Sequence, residues 1–304
     1  NKIFPFLLLL GVGLKKIHYN IFGILMLFCA LNAAGTSIDS PEYGKNAPDP
    51  LVVTTNKPLA IIAKAALGDN VRVQFLQSAS QSSHDLTLSI SALGKIQKAQ
   101  LVVLLGDQVE PRVAKAVSAL PQNRVIRVLD LPTLRFHAES DQVSQDHQRD
   151  HHVWLDPQNG NLIGRAIQDV FGVKAHNIIG DLEILRLRSI LAPYAKNNYL
   201  THHDAFSHFS RGFGLSSGLS IRDSSGGQKG ARSQYILRKH ALQSGVQCVF
   251  VEPQYGNKDA QGIADMLNLP IISIDPQGMT QALIDDGYEQ FMQGLVAQFK
   301  ACFS

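Results

Sequence analysis

The sequence predicts an α/β protein built from two similar parallel-sheet domains. Three observations carry this expectation: short aliphatic runs of strand length recur along the chain, helical stretches separate them, and the series stops at a histidine-rich loop and then begins again. The 304 residues exceed the usual single-domain size, and 45% hydrophobic with 17% charged residues describes a well-cored chain.

At the N-terminus, FPFLLLLGVGL, then Lys15-Lys16, then IFGILMLFCALNAAG read as a secretory signal over residues 1–34, with cleavage near Ala33 or Ala34. The later apolar run is short for a membrane span, which ranks a retained anchor second. Of the 28 lysines and arginines, Lys2, Lys15 and Lys16 fall in this segment and no acid does, leaving 25 basic against 25 acidic residues. That balance offers no positive field for a nucleic-acid partner. Residues 35–50, with Ser, Pro, Gly and Asn, read as a tether.

The first domain is expected over 51–157. Its strands are LVVTT at 51–55, VRVQFL at 71–76, AQLVVLLG at 99–106 and RVIRVL at 124–129, with helical periodicity in PLAIIAKAALG and from Leu86 to Lys98. A histidine-rich loop over 137–152 closes it. Residues 158–190 read as a connecting helix, with Gly172 and Gly180 weighing against an unbroken one. The second domain, 191–304, takes strands from NNYLTHH near 197–203, Leu219–Ile221, QCVFVEP at 247–253 and LPIISIDP at 269–276. Its helices are expected around 204–212, 231–244, 257–268 and 280–300. Beyond the signal only Cys248 and Cys302 remain, and an even pair in an exported chain suggests a disulfide, worth roughly 4 kcal/mol by loop entropy.

The segment HAESDQVSQDHQRDHHVW holds His137, His147, His151 and His152, four of the chain's 11 histidines. Neutral imidazoles suit a borderline metal such as zinc, although such a tract alone also describes a polar surface loop. Two further histidines stand at element ends. His84, in QSSHDLTLS, follows the second strand, and His203, in THHDAF, follows the fifth; His152, in HHVWLDP, precedes the Pro157 that opens the connecting helix. Ligands in α/β folds bind beyond the carboxyl ends of strands. Asp275, in SIDP, ends another strand, with an ordinary Asp-Pro turn as the competing reading. Three imidazoles and one carboxylate would make a tetrahedral Zn²⁺ shell. Glu252, in VEPQ, is either a ligand or a base that orients one.

The ordered set SHDL, AxLVVLLGxxxE from Ala99 to Glu110, HVWLDP, THHDAF, CVFVEPQ, ISIDPQG and the terminal Cys302 resembles the ZnuA-like, or cluster A-I, metal-binding proteins. These are the solute-binding components of bacterial zinc ABC transporters, and the resemblance spans residues 51–302. It implies two α/β domains bridged by a long helix, with metal held in the interdomain cleft by His84, His152 and His203 and with Asp275 as a fourth ligand. It also implies the Cys248–Cys302 bridge of the zinc branch, and within the doublets 151–152 and 202–203 it favours the second histidine. Two departures stand out. Ser83 occupies the position where many zinc-branch members carry Glu, which shifts weight to Asp275 or water, and the histidine-rich loop is shorter than it can be in the family.

The expected function is a high-affinity, monomeric, periplasmic receptor with one tight Zn²⁺ site, delivering metal to a membrane permease. No catalytic group is invoked. His137, His147 and His151 form an auxiliary loop that collects zinc weakly. The competing readings are a zinc-dependent hydrolase, with Glu252 or Asp275 as base to a metal-bound water, and a metal-dependent surface adhesin.

Overall fold

The computed structural model describes residues 49–78, 88–136, 150–223, 226–253, 255 and 258–304. The expected signal, the tether through residue 48, and Ser83, His84, His137 and His147 lie outside the described residues.

The first half opens with β1 (Leu51–Thr54), whose four residues are all buried. Asn56 then caps α1 (Lys57–Leu67), its side-chain oxygen accepting the Leu59 amide at 3.0 Å, with Pro58 in the first turn where its missing N–H costs nothing. β2 (Arg72–Phe75), α2 (Ile90–Lys98), β3 (Leu101–Leu104), α3 (Pro111–Val117) and β4 (Val125–Arg127) follow. Every strand pair is parallel and the order is β2-β1-β3-β4.

The bridge between halves is helical, but the single long helix expected over 158–190 is corrected to two, α4 (Pro157–Phe171) and α5 (Asp181–Leu191). Gly172 adopts φ 62° and ends α4 in a left-handed cap, with the Val173 amide returning to the Gln168 carbonyl at 3.0 Å. The segment beyond folds back onto α4: Asn161 donates to the Ile179 carbonyl at 3.0 Å and accepts the Ile179 amide at 3.1 Å.

β5 (Asn198–Thr201), α6 (Ser207–Phe213), β6 (Leu219–Ser220), α7 (Ala231–Gln243), β7 (Val246–Val251), α8 (Lys258–Leu267), β8 (Ile271–Ser273) and α9 (Gly287–Phe303) complete the chain. The second sheet is again parallel, in the order β6-β5-β7-β8. Each half therefore places its second strand outside its first and runs the other way from its third. The repeat is one of architecture. Among the described residues no helix is long and apolar enough to cross a membrane.

The halves share one apolar core. It runs from Val52, Ile61 and Leu101 through Trp154 and Ile163 to Phe209, Phe250 and Phe299. The last helix is what closes it: α9 packs on α1 and α5 of the preceding chain as well as on β7, and Phe299 lies 4.5 Å from Phe209 and 4.7 Å from Phe250 between ring centroids. Cys302 in α9 is bonded to Cys248 in β7, with Cα atoms 5.6 Å apart and both residues buried. At the start of α9, Tyr288 donates to the Trp154 carbonyl at 2.7 Å. Gly160 makes that approach possible, since a Cβ there would fall 2.1 Å from the Tyr288 hydroxyl.

Glu110, the residue before α3, is buried and accepts the Leu105 amide at 2.6 Å. Burial pushes its carboxyl up to about 7, against the Thr55 hydroxyl and the amides of Leu105 and Gly106, which favour the charged form. Because the folded chain holds this proton more tightly than the unfolded one, the contribution to stability is full below about 4.5 and is lost as pH rises through about 7. Replacing Glu110 by Gln removes the loss. In urea denaturation, stability of the wild type relative to E110Q is expected to fall by on the order of 2–3 kcal/mol between about pH 4 and pH 8, and a flat difference overturns it.

Candidate metal centre

The two central strands of the second sheet, β5 and β7, are neighbours whose connections leave in opposite directions, the switch point at which open parallel sheets bind ligands. His202 and His203 follow β5, and Glu252 follows β7; all three are buried. His203 pairs through Nδ1 with a Glu252 carboxylate oxygen. Burial by itself lowers the His203 value, but the charge and hydrogen bond of Glu252, with help from Asp150 and Asp204, outweigh it and raise the imidazole above its ordinary value.

His152 comes from the connection into α4, at the lip of a short turn over Val153–Leu155. Asp150 shapes this approach. One of its oxygens accepts both the His152 amide, at 2.9 Å, and the His152 Nδ1, at 2.7 Å, while the other takes the Ser207 hydroxyl. Burial alone raises the Asp150 carboxyl; the charge and hydrogen bond of His152, the charge of His208 and the Ser207 hydroxyl override it and hold Asp150 well below the usual carboxylate range.

Both rings therefore spend Nδ1–H on a carboxylate, which leaves Nε2 as the lone-pair atom. The two Nε2 atoms face each other 3.3 Å apart. In a tetrahedral zinc site with Zn–N of about 2.0–2.1 Å, two ligand nitrogens lie roughly 3.3–3.4 Å apart. The spacing matches that of a chelating pair. Two aromatic rings wall the pair: Trp154 at 5.2 Å from the His152 ring and Tyr255 at 5.3 Å from the His203 ring.

The two members of each doublet differ in their surroundings. His202 turns its Nε2 to Asp259 at 3.1 Å, and that carboxylate also binds Arg222 at 2.9 Å. Burial lowers the His202 value in spite of Asp259 and Glu252, and the ring is engaged by Asp259 and not by His152. His152 is buried and faces His203, whereas His151 is half-buried. Glu252, left open by the sequence, orients His203.

Asp275 follows β8, and its two oxygens accept the amides of Gln277 at 3.0 Å and Met279 at 2.7 Å. Those bonds are an Asp-Pro turn in its own right. Among the described residues no three His, Cys, Asp or Glu side chains are gathered closely enough to hold a metal. The described part of the centre is thus the His152–His203 pair with its two carboxylates. Asp150 is the residue that the sequence reading passed over; its position two residues before His152, where a short acid can fold back on the following amide, was the available signal.

A two-lobed α/β fold with buried, carboxylate-oriented imidazoles at a strand switch point defines a metal-binding protein of the solute-receptor kind. The chain belongs to the family described as zinc-uptake complex component A, periplasmic, whose model matches residues 52–177 and 181–302. Among curated relatives, it is 26% identical over 289 residues to the high-affinity zinc uptake system protein ZnuA of Haemophilus ducreyi, covering 83% of this chain and 93% of that one. It is also 26% identical to the protein of the same name from Yersinia pestis, covering 83% and 90%. Solved structures share the fold at low identity. A ZnuA variant lacking its residues 138–173, with zinc bound, matches with TM-score 0.70 at 19% identity, covering 84% of this chain and 99% of that one. The periplasmic zinc-binding protein TroA of Treponema pallidum gives 0.68 at 19%, covering 84% and 100%. The laminin-binding protein of Streptococcus agalactiae, described as having adhesin and metal-transporting activity, gives 0.69 at 18%, covering 84% and 100%.

Removing the carboxylate behind His203 tests this geometry. Glu252→Gln keeps an acceptor for Nδ1–H but withdraws the charge, and zinc affinity, read by competition with a chromogenic chelator, is expected to fall roughly tenfold or more. Unchanged affinity overturns the orienting role.

Proposed function

We propose that this chain is a high-affinity extracytoplasmic zinc receptor, binding Zn²⁺ through His84, His152 and His203 with Asp275 as the fourth ligand and handing the ion to the permease of an ABC transporter. The observation that carries the reading is the pair of Nε2 atoms 3.3 Å apart, each imidazole backed by a carboxylate. Imidazole nitrogen favours zinc over harder ions such as manganese, and one carboxylate among three neutral rings leaves the loaded site with a single positive charge. Family membership supports the same role, as do relatives named for high-affinity zinc uptake. A hydrolase would have to bring a substrate to the metal, and imidazoles buried behind Trp154 and Tyr255 favour holding an ion over admitting a larger molecule.

In this reading the protein acts as a monomer in the periplasm, reached through the N-terminal signal. His137, His147 and His151 belong to an auxiliary loop that gathers zinc weakly and is separable from the tight site. Asp150 marks where that separation ends, because it orients His152; the dispensable stretch is 138–149. The deletion variant of ZnuA that still has zinc bound supports such a division.

Titration of the purified chain with Zn²⁺ tests the assignment. The wild type is expected to show one tight stoichiometric site that H84A/H152A/H203A lacks, and retention of that site in the triple variant overturns the ligand set. Deleting 138–149, which removes His147 of the three auxiliary histidines, is expected to leave the tight site intact and to reduce weaker additional binding. Loss of the tight site on deletion overturns the division between loop and centre.

A further inference from the structure

The turn that carries Asp275 belongs to the second half of the chain, yet two side chains of the first part hold it. Trp154 Nε1 donates to the Pro276 carbonyl at 2.9 Å. The other is Gln77, two residues past β2, whose Nε2 donates to the side-chain oxygen of Gln277. The orientation of this amide pair is fixed from one end: the Lys57 amide, at the start of α1, donates to Gln77 Oε1 at 3.3 Å, so the Gln77 nitrogen is the one that faces Gln277. The Gln77 backbone is held as well, its amide donating to the Thr55 carbonyl at 3.0 Å. At the far end the Gln277 amide donates to Asp275 Oδ1. A continuous chain of hydrogen bonds thus runs from the first turn of α1 to the Asp275 carboxylate.

Gln77 is 3% exposed and Gln277 2%. A bond between two such groups is dry, and parting them gives up a hydrogen bond made in a low-dielectric setting. The bond also joins residues 200 positions apart in sequence, from opposite sheets. We propose that the Gln77–Gln277 pair is a latch between the two halves, which fixes the Asp275 turn and sets how long the metal is retained. Separation of the halves has to break the latch before the ion leaves, whereas an ion entering an already parted site meets no such bond. The latch therefore acts on release and leaves capture alone. This inference rests on the reading of Asp275 and the three histidines as the metal site.

The test is stopped-flow release of Zn²⁺ to an excess of chelator from the full chain, with Gln77→Met, Gln277→Met and the double variant. Methionine keeps the volume and removes the hydrogen bond without adding charge near a cation. Each single variant is expected to release zinc roughly tenfold faster with an unchanged association rate, the scale of one buried hydrogen bond. The double variant is expected to release no faster than the faster single, since both changes break one shared bond. Wild-type release rates in both singles overturn the latch. So do effects that multiply in the double, or a loss of binding-competent protein with normal release from the remainder, which marks a purely structural role. H84A/H152A/H203A separates the two ideas: if it keeps the tight site, the metal-site reading fails whatever the glutamines do. If it loses the site while the glutamine variants release normally, the latch alone fails.

Discussion

Two carboxylates packed against the imidazoles set the terms for the rest of the site. A polar group withdrawn from water is costly unless it is hydrogen-bonded, and Asp150 and Glu252 each meet that requirement with the Nδ1–H of one histidine. The pairing decides the tautomer, the tautomer decides which nitrogen keeps its lone pair, and the lone pairs of His152 and His203 then point at one place. The surroundings serve this arrangement. Ser207 at the start of α6 takes the second oxygen of Asp150, and Asp259 with Arg222 occupies His202, so that ring does not compete for Glu252.

The fold supplies the rigidity that such a site needs. His203 and Glu252 stand at the ends of adjacent central strands, so their spacing is set by the β5–β7 ladder. His152 comes from a different part of the chain, and its place is fixed by the turn into α4, where Trp154 is anchored at its indole nitrogen by Pro276 and at its carbonyl by Tyr288. The aromatic cluster around Phe299 and the Cys248–Cys302 bridge bind α9 to β7, the strand that leads to Glu252. Core packing and the placement of the two imidazoles are here one problem: a shift of α9 moves the support of both.

Much of this was legible in the sequence because parallel strands buried on both faces are written as continuous aliphatic runs; LVVT and LVVL fall where the runs placed them. The disulfide was legible for a different reason, since only two cysteines remained to pair. Gly172 warned of the break in the connecting helix, and only backbone geometry shows that it ends α4. The short helix α3 is itself a Pro-led segment of mixed polarity and escaped notice. At the site, the choice of His203 over His202 turned on family resemblance, because adjacent residues at a strand end have the same local signature. What separates them is Glu252 on one side and Asp259 on the other, both about fifty residues away in sequence. Gln77 and Gln277 were invisible for the same reason: a glutamine announces nothing until its partner is known.

The path of α9 has a consequence for how the molecule comes into being. The last described helix is the one that covers α1, the first described helix, and it carries Tyr288 and Phe299 into the shared core. An emerging chain can pair β1, β2 and β3 early, but Ile61 and its neighbours on α1 lack their final cover until α9 has been made. Contacts between such distant segments form late and slowly, because the long loop between them has to close before burial repays its entropy. The fold's own topology therefore keeps the chain from locking into its native state before α9 has been made.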